Sequence, residues 1–378
     1  MPTLMITTCG TSLLTNYARG DAALAEIVKQ SANTTSQGAT PEITRAIGEA
    51  LQKCSHKLAT STVRDVRSAS AELNGLLGFY KNEWPGANAD QHILLHTDTL
   101  QGKGVAEVLE SYLRKNGLNA WPQTFKGLRT DTLENFQQGL IGVIEWCHEA
   151  LPGYREKRYK VVFNLTGGFK SIQGWMQTLG MFYADEIIYI FESGKELLRI
   201  PRIPVALDKA VVEEIQNNLP FFRRLAMELP CEAADIPGSI SGAFLSKLGK
   251  IKLSAWGRLM WDQAKGSKGS EGSIYREKVH TSPDIRIVYS RRFRDACSTL
   301  TAEDQRWNVN ERIDDLALYL AGGRTNNPKR LDYKKLQGRG RGNSTHEIDA
   351  WSQSPAWRIF LHEDGTKVVL DDLAEGMH

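Results

Sequence analysis

Across residues 1–205 the apolar positions switch back and forth between two periods. Short apolar runs, "TLMITTC", "HILLHTDT", "KVVFNL" and "EIIYIFES", read as strands. Between them lie stretches with apolar residues three and four apart. Thr40 to Tyr80 opens with "TPEITRAIGEALQ" and Pro41 in its first turn, which predicts one long amphipathic helical stretch. "GVAEVLESYLRKNG" stops at Gly117, and "SIQGWMQTLGMFYA" precedes the last strand. Strands alternating with helices predict a parallel sheet with helices on both faces. In such sheets ligands sit beyond the carboxyl ends of the strands, which is where "CGTS", "TDT" and "LTGGFKS" fall.

The pattern changes after "RIPRIPVAL", where Pro201 and Pro204 punctuate the chain. Residues 206–280 carry helical periods, "KAVVEEIQNNLPFFRRLAMEL" and "SAWGRLMWDQAKG", and reach "GSKGSEGS", a flexible linker by composition. Residues 281–378 start with helical "RRFRDACSTL" and "ERIDDLALYLAG", pass through a basic loop, and end in "AWRIFL" and "KVVLDDL" joined by "HEDGT". An Asp-Gly pair between two alternating runs predicts a hairpin. Helices followed by antiparallel strands make this third unit a small α+β module.

Composition narrows the class. At 378 residues the chain is too long for one ordinary core, and 41% hydrophobic with 24% charged residues describes a globular protein. No run of about 18 apolar residues is present, so no membrane span is expected. "MPTLMITTCGTS" enters a strand at once, unlike a secretory signal, and a cytoplasmic location is expected. Cys9, Cys54, Cys147, Cys231 and Cys297 form no CxxC pair, which points to reduced thiols and to neither a zinc site nor a disulfide framework. A net charge of only +3 leaves nucleic-acid contact to local patches.

Three loops on one sheet edge are candidates for an anion site. "TCGTS" brings Gly10, Thr11 and Ser12; "HTDT" brings Thr97 and Thr99; "LTGGFKS" brings Thr166, Gly167, Gly168, Lys170 and Ser171. Backbone amides at a helix start beside one Lys favour phosphate. Singly, each loop reads as a turn or a helix cap, and their convergence is what favours a site. Neither GxxxxGK[ST] nor GxGxxG is present, so ATP hydrolysis and NAD binding are poor fits. "MITTCGTSLLTN", "LLHTDTLQGKGVAEVL" and "FNLTGGFKSIQGWMQTLGMFYADEIIYIFES" resemble the CRISPR-associated Rossmann-fold (CARF) domain. The resemblance implies a homodimer that binds a cyclic oligoadenylate across its two-fold axis, each protomer supplying one half-site. Cyclic tetra-adenylate is the expected activator, no other cofactor is expected, and the ten loop residues just named are carried over as its contacts. Many such proteins place a winged helix next, so residues 206–280 are either a helical spacer or winged-helix-like.

The tail carries a second candidate. In "RTNNPKRLDYKKLQGRGR", Arg324, Lys329, Arg330, Lys334, Lys335, Arg339 and Arg341 face the single acid Asp332, which suits a phosphate backbone. A solvated basic loop is the ordinary reading of such a run. With "HEIDAW" and "AWRIFLHEDGTKVVLDDL", this segment resembles the RelE/ParE toxin superfamily. RelE-type members cut messenger RNA in the ribosomal decoding site without a metal, using the RNA 2′-OH as nucleophile while Arg and Lys stabilise the phosphorane. The match puts Arg358 on the strand that carries a catalytic Arg and puts Lys334 and Lys335 in the basic segment before it. Arg339, Arg341 and His346 are further candidates, and His378 stands where some relatives keep a terminal acid or base. RelE has two lysines on the middle strand where this chain has Glu347 and Asp349. Either Glu347 serves as base, as a carboxylate does in other members, or Arg358, Lys334 and Lys335 act alone.

The expected architecture is therefore a Rossmann-like α/β sensor over 1–205, a linking segment over 206–280 and a RelE-like α+β domain over 281–378. The expected function is a metal-independent endoribonuclease, activated by cyclic oligoadenylate and acting with ribosome and messenger RNA in type III CRISPR defence. Two alternatives stay open. One is a CARF transcription regulator binding DNA through its middle segment. The other is a ribosome-independent RNase or a gyrase-directed toxin. "RGNSTH" has the Arg–His spacing of a HEPN nuclease but sits in a poor helix, and "REK" lacks an upstream Asp for a metal nuclease.

Overall fold

β1 (Thr3–Cys9) is buried along its whole length, as a strand covered on both faces must be. It belongs to a six-stranded sheet with β2 (Gln91–His96), β3 (Asn119–Gln123), β4 (Lys160–Asn164), β5 (Glu186–Ile190) and β6 (Leu197–Pro201). The order is β3-β2-β1-β4-β5-β6; β1 to β5 run parallel and β6 returns antiparallel to β5. Its helices are α1 (Ser12–Ala18), α2 (Ala22–Gln30), α3 (Pro41–Thr60), α4 (Val63–Ala69), α5 (Ala71–Phe79), α6 (Leu100–Lys115), α7 (Leu133–Glu156) and α8 (Lys170–Tyr183). The computed structural model describes residues 1–378 apart from 86–88, 192–195, 247, 249, 267–271, 337–340, 354 and 377–378.

Strand order reverses between β1 and β4. At such a reversal the two following loops leave in opposite directions and open a crevice at the carboxyl ends of the strands. "CGTS" follows β1 and "LTGGFKS" follows β4, so the topology brings these two loops together. The stretch from Thr40 to Tyr80 is three helices and not one. Thr62 accepts a hydrogen bond from Asp65 N and Ser70 from Leu73 N, so each hydroxyl starts a new helix where the apolar period runs on.

The chain divides into two compact units, Met1–Ala206 and Leu207–His378. Residues 206–280, expected to be a separate segment, fall almost wholly in the second unit. That unit contains α9 (Lys209–Asn217), α10 (Leu219–Ala226), a short ribbon of β7 (Leu245–Ser246) and β8 (Lys252–Leu253), α11 (Ala255–Lys265) and α12 (Ile274–Glu277). It continues with β9 (Ile287–Tyr289), α13 (Arg291–Ser298), α14 (Glu303–Ala321), β10 (Lys334–Lys335), β11 (His346–Trp351), β12 (Trp357–Asp364) and β13 (Lys367–Glu375). Arg223 of α10 is fully buried, 2.7 Å from Asp314 of α14, and donates to Thr281 O and Asn310 O. Tyr275 of α12 donates to the same carboxylate. A buried cation satisfied only by partners from other segments ties the middle helices to α14. Most of the linker "GSKGSEGS" lies outside the described residues.

The second sheet has the order β10-β11-β12-β13-β9. The predicted hairpin is present: β12 and β13 pair antiparallel around a turn in which Gly365 takes φ +59°. β9, which sequence periodicity did not reveal, adds in parallel to β13. Ile348, Ile359, Leu361, Val368 and Leu370 turn to one face and pack with Ile313, Leu316 and Leu320 of α14. The alternate residues Glu347, Asp349, Arg358, Phe360 and His362 occupy the other face.

Candidate functional site

The crevice of the first unit is built around a residue that the loops did not suggest. Glu72 of α5 is fully buried; Gly10 N donates to its Oε1 at 2.8 Å, Ser12 Oγ to its Oε2 at 2.6 Å and Ser70 Oγ to Oε2 at 2.7 Å. Its backbone carbonyl accepts from Asn164 Nδ2, and Asn164 Oδ1 accepts from Thr166 N. A Cβ at Gly167 would collide with Glu72 Oε1, and one at Gly10 would stand 3.1 Å from Gly168 Cα. The two glycines therefore allow the close approach of both loops to each other and to Glu72. Thr8 Oγ1 donates to Gly167 O, and Gln173 Nε2 donates to Leu165 O and Gly167 O, fixing the turn to β1 and α8. Burial, with Glu72 beside it, pushes the Cys9 thiol well up, so it stays protonated and inert.

These bonds sort the candidate ligand contacts. The Gly10 amide and the Ser12 hydroxyl are committed to Glu72. Thr99 caps α6 by accepting from Gly102 N, and its hydroxyl lies 3.0 Å from that of Thr97; both are buried. At the β4–α8 junction the donors are open. Phe169, at the N-cap of α8, offers no side-chain cap, so the first-turn amides keep their outward hydrogen-bonding capacity. Lys170 and Ser171 stand exposed there, whereas the Thr166 hydroxyl, which has no hydrogen-bond partner, is buried against Gly75 of α5. Thr11 likewise makes no cap bond to α1. Amides at the positive end of a 14-residue helix, one exposed cation and the Ser171 hydroxyl form a surface suited to an anion.

In the second unit the candidates divide between the two faces of the sheet. Lys334 pairs across the ladder with Glu347, with Nζ 3.6 Å from Oε1 and 2.6 Å from Asp332 Oδ2. Arg358 forms an ion pair with Asp349, and its Nε is 3.9 Å from Glu347. Arg341 reaches the same face, with its guanidinium 5.4 Å from the centre of the Phe360 ring and Nε 2.7 Å from Asp372. Lys335 and His346 face each other on the helix-covered side, where His346 lies beside the Tyr333 ring at 5.1 Å. Burial holds His346 below its ordinary pKa. Arg339 and His378 lie outside the described residues. Two cations of the basic run are consumed internally, Arg324 by Glu363 and Arg330 by Asp315.

Sequence reasoning missed Glu72, Asn164, His362 and Asp371. A carboxylate in the apolar run "AELNGLLGF", two residues after Ser70, was a visible signal for the first. His362 and Asp371 are brought together only by the hairpin register.

Residues 67–203, from within α4 to just past β6, match the model of a family described as CRISPR-associated protein (Cas_APE2256). The match supports a CRISPR-associated protein. It covers Glu72, the Thr97–Thr99 loop and the whole β4–α8 junction, and leaves the second unit outside. Among the described residues no helix is long and apolar enough to cross a membrane.

Proposed function

We propose that the chain is a sensor joined to an effector. The first unit, a CARF domain, binds cyclic tetra-adenylate across the two-fold axis of a homodimer. The second, a RelE-like domain, then cuts messenger RNA on ribosomes in the cytoplasm and stops translation. The observation that carries this reading is the β4–α8 junction, where uncapped amides and the exposed Lys170 and Ser171 gather at the strand-order reversal. A ring of phosphates meets a dimer of such junctions with one donor set per protomer. The CRISPR-associated match over this half adds support. The effector half rests on the mainly antiparallel sheet packed on α14, with the cations of Lys334 and Arg341 on its other face. In this reading the RNA's own 2′-OH is the nucleophile, and fixed cations stabilise the charge that gathers on phosphorus.

Cell-free translation with purified protein, with and without cyclic tetra-adenylate and with cuts mapped by primer extension, tests both halves. Cuts that need both ligand and ribosomes support the proposal. Ligand binding without cleavage removes the effector half and favours a regulator acting through residues 206–280. Cleavage of naked RNA removes the ribosome.

A further inference from the structure

Arg358, the residue that the RelE resemblance offers first, is poorly placed to serve a phosphate. Its side chain is only 12% exposed and sits between the carboxylates of Asp349 and Glu347. A guanidinium held by two acids has little charge left for a third anion.

Further along the same face of β12 the chemistry is better arranged. Phe360 pairs with Asp372 and Leu361 with Leu370, so Asp371 is the extra residue of a bulge. Bulges re-aim side chains, and this one turns Asp371 to His362, whose Nδ1 is 2.9 Å from both carboxylate oxygens. Ser344 Oγ donates to Asp371 Oδ2 at 2.8 Å, and Ser290 Oγ donates to the Asp371 carbonyl at 2.7 Å, which locks the bulge. The hydroxyl of Ser344 bonds the carboxylate and not the imidazole, so it is an orienting group and not an activated nucleophile. With Nδ1–H held by Asp371, Nε2 is left as the proton acceptor. The imidazole remains 25% exposed. Two guanidinium groups pair with Asp372, opposite Phe360 on the neighbouring strand: Arg341, 5.4 Å from the Phe360 ring centre, and Arg292 of α13. Arg292 is 63% exposed and Arg341 32%.

We propose that His362, oriented by Asp371, is the general base of the RNA-cleaving reaction, with Arg341 and Arg292 as the cations that receive the phosphate. This rests on the endoribonuclease reading of the second unit. His362 Nε2 takes the proton of the ribose 2′-OH. The 2′-oxygen forms a bond to the adjacent phosphorus as the bond from phosphorus to the 5′-oxygen breaks. The departing 5′-oxygen takes a proton from water. The products are a 2′,3′-cyclic phosphate and a 5′-hydroxyl, and no redox partner or metal enters the balance.

The test is single-turnover cleavage of a ribosome-bound message by the full chain with cyclic tetra-adenylate, across pH. His362→Asn keeps a donor where Nδ1 stands and removes Nε2. It should lower the rate about 100-fold or more with ligand affinity and melting temperature unchanged. The groups facing the imidazole are Asp371 of β13 and Ser344, with Val369 across the ladder. Asp371→Asn keeps the imidazole and should shift the acid limb of the pH–rate profile, which settles the matter if His362→Asn does not fold. Wild-type rates in His362→Asn, or an unchanged profile in Asp371→Asn, overturn the assignment while the nuclease stands. No cleavage by the wild type overturns the nuclease and the assignment with it.

Discussion

At the scale of single residues, Lys170 and Arg358 behave in opposite ways. Lys170 opens α8 beside uncapped amides and makes no contact that the fold needs. Lys170→Glu should therefore weaken cyclic tetra-adenylate binding by about 2 kcal/mol, roughly thirtyfold, with melting unchanged. Calorimetric titration of both proteins reads this directly, and equal affinities would move the ligand off the β4–α8 junction. Removing Arg358 leaves Asp349 and Glu347 facing one another, each under one-fifth exposed. Breaking a buried pair of this kind costs about 3–5 kcal/mol. Denaturant unfolding of Arg358→Ala should show a loss of that order, so abolished cleavage in this variant would report on folding before it reported on chemistry.

At the scale of elements, the turn between β4 and α8 decides what its donors can do. Gly168 holds φ +108°, and a Cβ there would come within 2.9 Å of Thr8 Cβ. Gly168→Ala must strain the backbone or push the turn off β1, at a cost of about 1–3 kcal/mol. A lower melting temperature and weaker ligand binding should appear together. A variant that melts lower yet binds normally would mean that the turn does not shape the site. On β13, one additional residue in a bulge, rather than a loop, carries Asp371 to His362.

At the scale of the whole molecule, acid stability has a localised source. His92 on β2 is buried beside Tyr80, with Nε2 3.1 Å from the phenol oxygen, and burial lowers its pKa to about 4. The unfolded chain binds that proton near 6.5, so as pH falls from about 6.5 to about 4 the unfolded state gains protons that the folded state refuses. Stability is fully present above pH 6.5 and about 3 kcal/mol of it is lost by pH 4. Unfolding of His92→Gln, which retains an amide where Nε2 stands, should be flatter across this window. An equally steep loss would trace the acid sensitivity to other groups.

Local order determined much of this protein. Buried strand runs, Pro41 at a helix start, the Asp-Gly turn and the three loops at one sheet edge were all legible, because period, capping and turn chemistry act over a few residues. The break of Thr40–Tyr80 into three helices was not, since Thr62 and Ser70 cap only once the chain bends around them. Edge strands β3, β6 and β9 were missed for a related reason: half-exposed strands of three to five residues leave little pattern. Tertiary structure alone decided which donors are spent. Glu72 meets Gly10 and Ser12 across some sixty residues of sequence. The register of β10, β11 and β12 sets Lys334 and Lys335 on opposite faces, and a one-residue bulge pairs Asp371 with His362. Long-range pairing of this kind depends on register and burial, which no short window of sequence contains.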